Sequence, residues 1–89
     1  MTIQDVAKKT ADAIKQQKPN KTVYVDEDGG CDYRITYNAE KQSIRILTIG
    51  NNTLSDEDIT QIKQTVSQNY NIKQIQTDLD GQYPFEIQN

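Results

Sequence analysis

Apolar residues in this chain follow two rhythms, and the places where one gives way to the other constrain the fold most. Over residues 3–17, Ile3, Val6, Ala7, Thr10, Ala11 and Ile14 recur at spacings of three and four, so they share one face of a helix. Lys8, Asp12 and Lys15 fall on the opposite face. Thr2 precedes the run and Asp5 stands three residues on, the pattern of a capping box. Pro19-Asn20 ends the helix, because proline cannot continue the hydrogen-bond ladder.

The rhythm then changes to two. Thr22-Val23-Tyr24-Val25, Tyr33-Arg34-Ile35-Thr36-Tyr37 and the run from Ser43 to Ile49 are β-branched, aromatic and largely alternating, which suits a half-buried strand. Asp26-Glu27-Asp28-Gly29-Gly30 between the first two is a turn signal, and Asn38-Ala39-Glu40-Lys41-Gln42 reads as a longer hairpin loop. Both connections are short for a crossover, so the three strands are expected to form an antiparallel meander. The helical spacing returns after Gly50-Asn51-Asn52. Ser55 is the expected N-cap, with Asp56, Glu57 and Asp58 at the positive end of the helix dipole and Ile59, Ile62, Val66 and Tyr70 as the apolar stripe. The tail alternates again through Ile75, Thr77 and Leu79, turns at Asp80-Gly81, and returns through Tyr83, Phe85 and Ile87. Pro84 has no amide hydrogen, which assigns the last strand to an edge of the sheet, where a second chain can pair.

The expected architecture is a two-layer α+β domain over residues 1–89, in the order α-β-β-β-α-β-β. An antiparallel sheet carries both helices on one face, with Ile3, Val6, Ile14, Ile59, Ile62 and Val66 buried between the layers. The other face is left to water or to a partner. It holds Tyr24 and either the Arg45-Leu47 or the Ile44-Ile46 set of the third strand. A chain of 89 residues buries only roughly 60–65% of its unfolded surface, and 34% apolar residues is a low share. The net charge of −3 is nevertheless too small for the usual composition of a disordered chain. An offset of 52 positions sets Asp26 on Asp78, Gly29 on Gly81 and Ile14 on Val66. That is compatible with a duplicated helix–hairpin unit, but any two unrelated units that share Asp-Gly turns would align as well, and the latter is the expectation.

Composition also limits the chemistry. Histidine is absent and cysteine occurs once, so neither a Ser-His or Cys-His nucleophile pair nor a Cys/His zinc site can be built. The lone Cys31 fits a reducing compartment and lies among carboxylates, which disfavour a reactive thiolate. With no signal-peptide pattern and no bilayer-length apolar run, a cytoplasmic location is expected and no membrane association. The acidic loop 26–32 fails the calcium-loop spacing, because Gly30 stands at the fifth position and Tyr37 at the twelfth. Carboxylates at exposed hairpin tips lack the burial that acid–base catalysis requires. Gly29-Gly30 opens a strand, unlike a phosphate-binding glycine loop, which opens a helix. No enzyme activity, cofactor or metal is therefore expected.

Binding remains. Helix, three antiparallel strands, helix is also the element order of double-stranded RNA-binding domains. Those domains place lysines at the start of the second helix, where this chain carries Ser55-Asp56-Glu57-Asp58, so the likeness is one of element order alone. Lys8, Lys9, Lys15, Lys18 and Lys21 offer an alternative phosphate surface, although Asp5 and Asp12 share that segment. A homo-oligomer joined through the last strand is a further alternative. The leading expectation is a non-catalytic module that occludes a basic surface on a larger protein, as inhibitors, antitoxin or immunity partners and phage-encoded counter-defence proteins of this size do. Asp26, Glu27, Asp28 and Asp32 with Tyr24, together with Asp78 and Asp80, are the expected contact residues.

Overall fold

A computed structural model describes residues 2–88 of the chain. Helix α1 (Ile3–Gln17) begins at the Thr2 cap: the Thr2 hydroxyl accepts from the Asp5 amide at 3.2 Å and the Asp5 carboxylate accepts from the Thr2 amide at 3.3 Å. Helix α2 (Asp56–Ser67) repeats the device between Ser55 and Asp58, at 3.1 and 3.0 Å. Both helices bury the stripes read from the sequence, Ile3, Val6 and Ile14 among them on α1 and Ile59, Ile62 and Val66 on α2, except that Tyr70 lies past the end of α2 and packs half-buried against the core. Thr10 tolerates burial because its hydroxyl donates to the Val6 carbonyl at 2.8 Å.

Five strands complete an α+β architecture: β1 (Val23–Val25), β2 (Tyr33–Asn38), β3 (Ser43–Thr48), β4 (Ile72–Gln74) and β5 (Gln82–Ile87). They lie in the order β1-β2-β3-β5-β4. Both helices pack on one face, α1 over β1, β2 and β3 and α2 beside β4, and the two helices touch. Val23, Tyr33, Ile35, Ile44, Ile46, Phe85 and Ile87 project toward them and join the helical stripes in a contiguous core. The opposite face has no helix, and it carries the Arg45-Leu47 set, since Ile44 and Ile46 are buried.

The sheet departs from the expected one in three places. The antiparallel meander begins only at β2, because β1 pairs parallel to β2, with Val23 opposite Tyr33 and Val25 opposite Ile35. A crossover must be long only when it has to retrace a long strand. β1 has three residues, a rise of about 10 Å, which the segment 26–32 retraces. Asp26 and Gly29, at φ 51° and 124°, turn the chain back. The return is fastened where Thr22 donates its amide to the Asp32 carboxylate at 2.8 Å and accepts from the Tyr33 amide at 3.1 Å.

The second departure concerns the last strand, which is not an edge. β5 lies between β3 and β4. Pro84 is accommodated there because its nitrogen faces the short strand β4: the Pro84 carbonyl accepts from the Ile75 amide at 2.9 Å, and the reciprocal donor is the one proline lacks. The ladder stops at that pair. This accounts for the third departure, since β4 is Ile72–Gln74 and the alternating stretch Ile75-Thr77-Leu79 lies in the loop that follows. The 52-residue offset thus aligns sequence without aligning topology: the strand pair after α1 is parallel, and the pair after α2 antiparallel.

Candidate functional site

Alternation along the strands places Tyr24, Arg34, Thr36, Arg45, Leu47, Pro84 and Glu86 on the helix-free face. The register sets Tyr24 beside Arg34, Arg34 beside Leu47, Thr36 beside Arg45, and Arg45 beside Pro84. Both arginines of the chain therefore share this face, one register step apart on adjacent strands. Tyr24, Arg34, Thr36 and Leu47 are half-buried and Arg45 is exposed. Sequence reading found Tyr24 and left the third strand's register open. It passed over the arginines as a pair, because only the register brings them together.

The acidic loop 26–32 folds toward this face. The Arg34 guanidinium donates to the Gly29 carbonyl at 2.8 Å, and Gly29 lies against the Tyr24 ring, close enough that a Cβ there would meet the ring at 3.5 Å. Asp26, Glu27 and Asp28 are exposed. Among the described residues none of the three forms an ion pair; the one pair found joins Lys18 to Asp58 at 3.3 Å. Asp32 is differently employed. Its carboxylate accepts from the Thr22 amide and from the Asn52 side-chain amide at 3.0 Å, and these bonds, Thr22 first, hold it below the ordinary value of 3.8. Asp32 shapes the loop from inside while Asp26, Glu27 and Asp28 project from it.

Asp78 and Asp80 are exposed on the loop that leaves the edge strand β4 and returns to β5, where the Gly81 carbonyl accepts from the Thr48 amide at 2.9 Å. The two acidic loops are separate features of one sheet. Leu79, between Asp78 and Asp80, is 54% exposed.

Two lysines of the first segment share a groove and a third is drawn into an ion pair. Lys18 caps α1 and pairs with Asp58. Lys8 and Lys15 line a groove along β1 together with Asp26 and Glu27. The Asp58 carboxyl is held below 3.8, first by the Ser55 amide, with burial opposing and Lys18 assisting. Among the described residues no group of three or more Cys, Asp or Glu side chains is placed to hold a metal ion, and no helix is long and apolar enough to cross a membrane. No protein-family model, curated protein or solved structure matches the chain.

Proposed function

We propose that this chain is a small, non-catalytic protein-binding module that acts by occluding a basic surface on a larger protein, in the manner of an inhibitor, an antitoxin or immunity partner, or a counter-defence protein. The observation that carries the reading is the pairing of Tyr24 with the loop beside it. A half-buried aromatic stands on a sheet face without helices, next to three projecting carboxylates that form no ion pair among the described residues. An aromatic anchor beside charged groups is the composition of an interaction hot spot and its rim. Unpaired carboxylates speed encounter with a basic target through long-range attraction.

In this reading Asp26, Glu27 and Asp28 contact the partner with Tyr24, and Asp32 holds the loop in its contact shape. Asp78 and Asp80, on a separate loop of the same sheet, form a second contact. The histidine-free composition is the ground for a non-catalytic role.

The test is comparative capture from the native cytoplasm. The wild-type chain and the triple variant Asp26→Lys, Glu27→Lys, Asp28→Lys are immobilised side by side, and retained proteins are quantified by mass spectrometry. A basic protein held by the wild type and lost by the variant supports the reading. Retention of the same proteins by both removes the acidic loop from it. Capture of nucleic acid alone, released by salt, replaces the reading with the lysine-based alternative.

A further inference from the structure

We infer that β1 is a pairing edge for a second copy of this chain, joined antiparallel about a two-fold axis through Tyr24. β1 is an edge strand of the sheet. The Tyr33 amide donates to the Thr22 carbonyl and the Asp26 amide to the Ile35 carbonyl, so the residues of β1 whose backbone groups face β2 are Thr22, Tyr24 and Asp26. Alternation then turns the amides and carbonyls of Val23 and Val25 outward. None of the loop, turn or side-chain hydrogen bonds of the described residues ends on them. They face a groove whose walls include Lys8 and Lys15 of α1 at one side and Asp26 and Glu27 at the end of the strand.

On the chain that flanks β1 the charges are divided, bases before the strand and carboxylates after it, while Lys8 of α1 lies along the same groove. Lys21 stands just before β1, and Lys15 lies in the last turn of α1, which the chain leaves to enter the strand. Asp26 and Glu27 stand just after the strand. A two-fold through Tyr24 reverses one copy on the other, so the basic end of each meets the acidic end of its mate. Val23 falls opposite the second copy's Val25, and those two pairs exchange four main-chain hydrogen bonds. Lys21 lies just outside the paired residues, at the end of the strand where the second copy's chain turns away through Asp26 and Glu27. Tyr24 falls opposite its own counterpart, on the face without helices, in the closer class of cross-strand pair. A surface that complements itself under a two-fold is the requirement for an isologous dimer. The other edge of the sheet does not meet it. The middle residue of β4 is Lys73, and the same operation there would set Lys73 against Lys73.

This inference goes beyond partner occlusion and draws on the same Tyr24 and Glu27, so the second copy and a larger partner exclude one another; it is tested on purified protein alone, and its failure leaves the capture experiment intact. Sedimentation equilibrium of the full chain, from micromolar to millimolar, is expected to show a monomer–dimer equilibrium. Lys21→Glu alone and Glu27→Lys alone are each expected to weaken the dimer about tenfold, and the double variant to recover to within about threefold of wild type. Val25→Pro removes an outward donor without removing a bond to β2, and is expected to yield a folded monomer. A wild-type chain that stays monomeric to millimolar concentration overturns the inference. So does a dimer that survives Val25→Pro and both charge reversals, or a double variant no stronger than the singles.

Discussion

Tyr33 and Tyr83, on strands β2 and β5, donate their hydroxyls to the consecutive carbonyls of Thr53 and Leu54, at 2.8 and 3.1 Å. Two rings from different strands thereby hold the segment that leads into α2. Tyr33 is 1% exposed, so its hydroxyl is a polar group carried into the core to meet a loop carbonyl. Replacing it with phenylalanine keeps the packing and strands that carbonyl. Tyr33→Phe is expected to cost about 1 kcal/mol in urea unfolding, and Tyr33→Phe with Tyr83→Phe to deviate from the sum of the singles, because both hold one loop. Additive losses would mean that the two bonds act on separate segments. Burial also raises the Tyr33 phenol above its ordinary value of 10.0. The folded state then favours the protonated phenol, so stability is full below that value and declines as pH rises past it.

Acid acts in the opposite direction. Asp5, Asp32 and Asp58 are all held below 3.8, each first by a backbone amide, of Thr2, Thr22 and Ser55 respectively. A lowered carboxyl stabilises the fold above its unfolded value, and that contribution is lost as pH falls through the folded one. The urea midpoint is therefore expected to be flat toward neutrality and to fall below about pH 4. The variant Asp5→Asn, Asp32→Asn, Asp58→Asn should have a lower neutral midpoint and a shallower acid decline. An acid decline as steep as that of the wild type would assign the loss to other carboxyls.

Gly81 and Gly50 provide a matched pair. Both have positive φ, 71° and 63°, but a Cβ on Gly81 would stand 2.7 Å from the Thr48 hydroxyl oxygen, whereas one on Gly50 meets open space. Gly50→Ala is expected to cost about 1 kcal/mol, the penalty of a left-handed alanine, and Gly81→Ala clearly more. Gly30, with neither positive φ nor a close neighbour, should accept alanine with no loss. Thermal unfolding of the three variants gives the ranking directly. An equal cost at Gly50 and Gly81 would show that Thr48 yields freely.

Pro84 ends a ladder by lacking a donor. Pro84→Thr returns an amide that faces Ile75, with which Pro84 already shares one bond. The variant is expected to fold, to stay within about 1 kcal/mol of wild type, and to show a slowly exchanging amide at position 84, lengthening the β4 pairing by one bond. Rapid exchange at 84 would place that nitrogen away from β4.

These cases show which parts of the fold could be read in advance. Both helices, the Thr2–Asp5 capping box and the Ser55 N-cap follow from spacing alone, because they are local patterns; the alternation of β2, β3 and β5 is equally local, but which of the Ile44-Ile46 and Arg45-Leu47 sets faces inward is not. Neither is the direction of β1. Asp26 to Gly30 has the composition of a hairpin, and the bonds that decide otherwise, from Thr22 to Asp32 and from Asp26 to Ile35, join residues on different elements. β4 was misplaced because Ile75-Thr77-Leu79 alternates at least as well as Ile72-Lys73-Gln74, and the missing amide of Pro84, a pairing matter, breaks the tie. In the candidate site the projecting carboxylates were legible as residue types. The inward duty of Asp32 and the shared face of Arg34 and Arg45 were not, since each depends on which residue lies opposite which.

The return segment after β1 is anchored at both ends, by Asp26 on Ile35 and by Asp32 on Thr22 and Asn52, with Gly29 touching down between. Glu27, Asp28 and Gly30 are free of those anchors. Substitutions at these three sites leave the scaffold indifferent and alter only what the molecule shows to its surroundings. Such a stretch can change its chemistry while the sheet beneath it stays the same.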